Sequence, residues 1–103
     1  MDPNLLYKII PATEWKAAEA AGSFGGSGID LEDGFIHLSS AEQVSETLQK
    51  YFANQTGLVL LGIDAEALGT TLQWEPSRGG ALFPHVYGEI PVSAVKSVEP
   101  IEN

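Results

Sequence analysis

Apolar residues come in short bursts along this chain, and two bursts have a clear period. Val44, Leu48, Tyr51 and Phe52 recur at i, i+4, i+7 and i+8, the spacing of one helix face about three turns long. Residues 57–64, GLVLLGID, are nearly all apolar yet too short for a free-standing helix, which predicts a central strand buried on both faces.

Punctuation places the other elements. Residues 5–10, LLYKII, predict a strand stopped by Pro11. Thr13 is the expected N-cap of a helix running to about Ala21, with Gly22 as its stop. Trp15, Ala18 and Ala21 fall on one side of it, and Trp15 is the expected anchor. The Gly- and Ser-rich residues 22–33 predict a loop pinned by Phe24, Ile29 and Leu31. Its glycines either let a ligand approach the backbone or make a flexible connector.

In residues 34–43, GFIHLSSAEQ, a strand leads into the periodic helix. Phe35, His37 and Ser39 should share one face, with Ile36 and Leu38 on the other. Ser39 with Glu42, or Ser40 with Gln43, fits a capping box. Asp64 can cap a single turn through Leu68 that Gly69 ends. Residues 72–75 predict a strand, and residues 77–80 a turn after Pro76. Residues 83–90 look extended, with Pro84 marking an edge or an irregular start. Pro91 opens a helical turn, and residues 96–101 form the last strand. This order predicts an α+β fold, expected as a single domain over residues 1–103.

Composition narrows the function classes. The 103 residues are 44% hydrophobic, enough for one modest core. The net charge is −9, from 14 acidic and 5 basic residues, and the cations Lys8, Lys16, Lys50, Arg78 and Lys96 are scattered. Such an acidic chain is a poor general partner for nucleic acid or an anionic membrane, since both need clustered cations. A small anionic ligand stays open, because one arginine and a few backbone N–H groups suffice for it. No cysteine is present, which leaves no disulfide or thiolate chemistry. No apolar run approaches the roughly 18 residues of a membrane span, and no basic start precedes an apolar stretch, so a cytoplasmic location is expected.

The chemistry-bearing residues are few. His37 and His85 are the only histidines and lie in otherwise apolar strands. Each needs a partner or a wet cleft, and a merely satisfied, half-buried histidine is the plainer alternative. A Ser-His-acid triad is rejected: His37 and Ser39 stand roughly 6–7 Å apart by strand rise, and no nucleophile elbow is present. The two histidines could meet across strands with Glu75 or Glu89 as a third ligand, but no ligand spacing points to a metal, and none is expected. Arg78 is the sole arginine and lies in S-R-G-G, where guanidinium and backbone donors can hold phosphate or carboxylate; a weak surface ion pair is its alternative. Trp74, Phe83 and Tyr87 offer a stacking wall or simply core.

The fragments LYKI, DGFIHLSSAEQV, LVLLGID, LQWEPSRGGALFPHVYG and IPVSAV, in this order, carry a family likeness over nearly the whole chain. The chain resembles a small bacterial domain-of-unknown-function family, number nine-five-two. That resemblance implies a fold similar to the ADP-ribosyltransferases, with split, twisted antiparallel sheets and two main helices. It places Lys8 where those enzymes keep a histidine or arginine, His37 near their tyrosine slot and Ser39 and Ser40 at their serine slot. Glu89 is the nearest counterpart of their late glutamate. The expected function is binding of a small anionic or nucleotide-like ligand, such as NAD or ADP-ribose, with Lys8, His37, Ser39, Ser40, Arg78, His85 and Tyr87 lining the cleft. The alternatives are a divergent NAD-dependent or phosphate-related transferase, with His37 or His85 as acid–base group, and a non-catalytic interaction domain. Whether any reaction occurs, and the oligomeric state, are left open.

Overall fold

A computed structural model describes residues 2–102, with Arg78 described by its backbone alone. The chain runs β1 (Leu5–Pro11), α1 (Ala12–Ala21), β2 (Ser23–Phe24), α2 (Ile29–Asp33), β3 (Ile36–His37), α3 (Val44–Tyr51) and β4 (Leu58–Asp64). It continues with α4 (Ala65–Leu68), β5 (Leu72–Pro76), β6 (Leu82–Val86), β7 (Ile90–Pro91) and β8 (Val95–Ile101). Single 3₁₀ turns lie at Gly69–Thr71, Arg78–Gly80 and Val92–Ala94. The architecture is α+β, with antiparallel sheets ordered β1-β4-β8, β3-β6-β5 and the small pair β2-β7.

The apolar run of residues 57–64 becomes the middle strand β4, as expected. Alternation splits its side chains between two apolar layers. Val59, Leu61 and Ile63 join Leu6 and Ile10 of β1 on one face. Leu58 and Leu60 join Tyr7 and Ile9 on the other. Helix α1 covers the first layer with Trp15 and Ala18, and α3 covers the second with Val44 and Leu48. Asp64 accepts the Glu66 N–H at 3.0 Å and caps α4, which Gly69 ends.

Several local expectations are corrected. Pro11, not Thr13, occupies the N-cap of α1, with φ −58° already suited to a helix start. Ala21 is exposed and adds nothing to the inner side of α1. Gln43 reaches back to the Ser40 N–H at 3.0 Å, the returning half of a capping box, and α3 starts at Val44. The Ser39 hydroxyl is not a cap; it lies 3.0 Å from that of Thr47. Tyr51 turns outward.

The predicted loop at residues 22–33 contains β2 and α2; Phe24 pins it as expected, at 4% exposure, but the polarity of α2 is inverted. Ile29 and Leu31 are 60% and 70% exposed, while Asp30 between them is 3% exposed.

Pro84 corrects another expectation, for β6 is a central strand and not an edge. Proline is tolerated there because its missing N–H faces the end of a ladder. β3 pairs Ile36 with Val86 and His37 with His85. The next pair in register, Leu38 with Pro84, makes only the Leu38 N–H to Pro84 carbonyl bond, at 2.9 Å. Unable to receive the second bond, the chain leaves this sheet. Ser39 instead exchanges two bonds with Tyr7 of β1, at 2.7 and 2.8 Å. Residues 36–39 therefore pass from one three-stranded sheet to the other.

Candidate functional site

A cleft of about 350 Å³ opens where the sheets part. The handover segment supplies His37, Leu38 and Ser39 to it, β1 supplies Lys8 and Ile9, and β6 supplies Phe83 and His85. Ser27, Ile29, Asp30 and Asp33 of the α2 region, Thr47, Tyr51 and Phe52 of the α3 region, and Ser77 complete most of the wall.

One side of the cleft is an ionic network centred on Asp30. Its carboxylate lies 2.7 Å from the Lys8 ammonium and 2.6 Å from His37 Nδ1. It also accepts the backbone N–H groups of His37, at 3.1 Å, and Ser27, at 3.0 Å. Lys8 further donates to the His37 carbonyl at 2.9 Å. His37 Nε2 lies 3.0 Å from Asp33, so the ring makes both of its contacts as hydrogen bonds when both nitrogens carry protons. Burial works against the Asp30 charge, but Lys8 and the His37 donors outweigh it and hold the carboxyl below the usual carboxylate range. Burial pushes the Lys8 ammonium down, with Asp30 opposing it.

These directions give an expected pH dependence. Because the folded value of Asp30 lies below the unfolded one, its stabilisation is complete above about pH 4 and is lost as pH falls through the folded value. Urea denaturation of wild type and Asp30→Asn between about pH 5 and about pH 2 checks this. The stability gap should shrink only below about pH 4; a constant gap would contradict the assignment.

The other side is built on His85, which is 4% exposed. His85 Nδ1 lies 2.7 Å from Glu75 Oε1, which also accepts the Tyr87 hydroxyl at 2.7 Å. The bonds from His85 and Tyr87 hold the exposed Glu75 carboxyl below its ordinary range, and the Glu75 bond raises the Tyr87 phenol. Phe35 packs on both histidine rings and on Tyr87, at 4.4–5.2 Å between centroids. The His37 and His85 rings meet edge to face at 5.1 Å. Among the described residues, His85 Nε2 is the buried side-chain polar atom with no hydrogen-bond partner.

The structure thus brings together Lys8, His37, Ser39 and His85 of the expected site. Ser40 and Tyr87 are not in the wall. Glu89 is elsewhere, accepting the Ser23 hydroxyl at 2.8 Å. The side chain of Arg78 lies outside the described residues, although its neighbour Ser77 lines the cleft. The Ser39 and Ser40 N–H groups are spent on the fold: Ser39 N–H bonds Tyr7 and Ser40 N–H bonds Gln43. Among the described residues no group of three or more His, Asp or Glu side chains could hold a metal, and no helix is long and apolar enough to cross a membrane.

Asp30 is the main residue that sequence reasoning missed, together with Asp33 and Thr47. The one available signal was an aspartate inside a glycine-rich segment that precedes a histidine strand.

Comparison with known proteins places this geometry. The family described as "Protein of unknown function (DUF952)" matches residues 9–98. The crystal structure of protein CC0527 from Caulobacter crescentus is 53% identical, superimposes with a TM-score of 0.92, and aligns over 95% of this chain and 86% of that one. The solution NMR structure of CC0527 is 52% identical with a TM-score of 0.85, over 96% and 85% of the two chains. Among curated proteins, none matches the chain.

Proposed function

The chain belongs to DUF952, a protein family of unknown function, and on the geometry of its cleft we propose that it binds a small nucleotide-like ligand there. The single observation that carries this reading is that His85 lines the cleft while its Nε2 is buried with no hydrogen-bond partner among the described residues. Buried polar atoms without partners are rare in folded proteins, and a ligand group is one way to satisfy them. Apolar walls from Ile9, Leu38 and Phe83 suit a ring, and the Ser39 and Thr47 hydroxyls suit a sugar. The parting of two small antiparallel sheets around the cleft supports an ADP-ribosyltransferase-like arrangement. An anionic portion of the ligand would sit toward the Arg78–Gly80 turn, since Lys8 is already engaged by Asp30.

Titration of ¹⁵N-labelled protein with NAD, ADP-ribose and inorganic phosphate tests the proposal. The amides of Leu38, Ser39, Phe83 and His85 should shift with the two nucleotides. Silence at all four with every probe would end the nucleotide reading.

One observation favours a second reading, a transferase. Two imidazoles 5.1 Å apart, each bonded to a carboxylate, form an arrangement that can hold and pass a proton. Release of nicotinamide in the NAD sample, at a rate above that of a His37→Ala, His85→Ala variant, separates this from binding alone. Fold likeness does not decide between them.

A further inference from the structure

The cleft holds an asymmetry that says what kind of group the ligand brings to it. Both nitrogens of His37 are taken by carboxylates, from Asp30 and Asp33. The Lys8 ammonium is taken by Asp30 and the His37 carbonyl. The Ser39 and Thr47 hydroxyls face each other, and the Ser39 N–H is bonded to β1. His85 Nε2 is different, for it is buried and unpartnered among the described residues.

The chemical character of that nitrogen follows from the other side of the ring. Glu75 is ionised and accepts the Tyr87 hydroxyl on the same oxygen that faces His85 Nδ1. A carboxylate has no proton to give, so the proton of this contact belongs to Nδ1. In the neutral ring, Nε2 is then a bare lone pair. A phosphate oxygen placed there would set lone pair against lone pair. A hydroxyl or N–H would complete the bond.

We propose that Glu75 fixes His85 as a hydrogen-bond acceptor and that the cleft thereby selects ligands presenting a donor at that depth, a sugar hydroxyl or ring N–H, with any anionic group directed outward. This rests on the ligand-binding reading above and deepens it. Glu75 acts here as a positioning residue and His85 as the contact.

The tautomer is read first, on wild type with no probe, from the ring ¹⁵N resonances at about pH 8, where an ordinary imidazole is neutral. Nδ1 should appear protonated and Nε2 unprotonated, and Glu75→Ala should shift the ring toward a mixture of tautomers. A proton on Nε2 in the wild type overturns the proposal. ADP-ribose and pyrophosphate are then compared, since both carry a diphosphate but only the first carries hydroxyl donors. ADP-ribose should move the Nε2 resonance and pyrophosphate should not. If pyrophosphate moves it equally, donor selection is wrong. If ADP-ribose shifts the cleft amides but not Nε2, the inference falls while the binding reading stands. If neither probe shifts any cleft amide, the binding reading falls and takes the selection claim with it.

Discussion

Asp30→Ala is expected to destabilise the protein by about 3–5 kcal/mol, the usual penalty for removing one partner of a buried ion pair. The carboxylate is almost fully enclosed and serves four donors: the Lys8 ammonium, the His37 ring, and the His37 and Ser27 backbone N–H groups. Removing it leaves an ammonium with only 11% side-chain exposure and no counter-charge from Asp30. Two backbone donors also lose their acceptor. Lys8→Met should cost less, roughly 1–3 kcal/mol, because three donors still reach Asp30 and the methionine fills the stem's volume. Urea midpoints of the two variants give the comparison. A cost for Asp30→Ala below about 1 kcal/mol, or a larger cost for Lys8→Met, would show that Asp30 is not the centre of the network.

Ile36→Ala should cost about 2–5 kcal/mol, in the range of large-to-small changes at closed core positions. Ile36 is 2% exposed and opposes Val86, itself fully buried. Strand β3 has only two residues, so Ile36 and the equally buried Leu38 are the apolar anchors on either side of His37. Loosening one of them should also broaden the His37 and Ser39 amide signals. Ile29→Ala is the matched control. Its side chain is 60% exposed at the cleft mouth, and the change should stay within about 0.5 kcal/mol. Equal costs for the two variants would mean that the polarity of α2 is not inverted.

Those two isoleucines mark where the sequence could be read and where it could not. Strand β4, the Asp64 cap, the Gly22 stop and the turn after Pro91 are local matters of period and punctuation, and each appears as expected. Ile36 belongs to an alternating strand and was placed correctly. Ile29 was assigned inward because it is apolar, yet Asp30 takes the interior. The reason is long-range: Lys8, on β1, needs a counter-charge, and no window around residue 30 contains it. Pro84 failed for a similar reason. Its cost depends on which neighbour its nitrogen faces, and that is fixed by where β3 ends. The site was legible in its histidines and Ser39, which sit on predictable strands. It was not legible in Asp30, Asp33 or Thr47, whose roles arise only when distant elements meet.

The handover at Leu38 and Ser39 has a consequence for binding energetics. One short segment is hydrogen-bonded to β6 at its start and to β1 at its end. Drawing the two sheets apart at this segment would require breaking the paired Tyr7–Ser39 bonds, which resists widening on that side of the cleft. A binding site of that kind loses little conformational entropy when a ligand enters. In the proposed binding mode it would also adapt little, leaving discrimination to shape and to the buried His85 Nε2 rather than to closure around the guest.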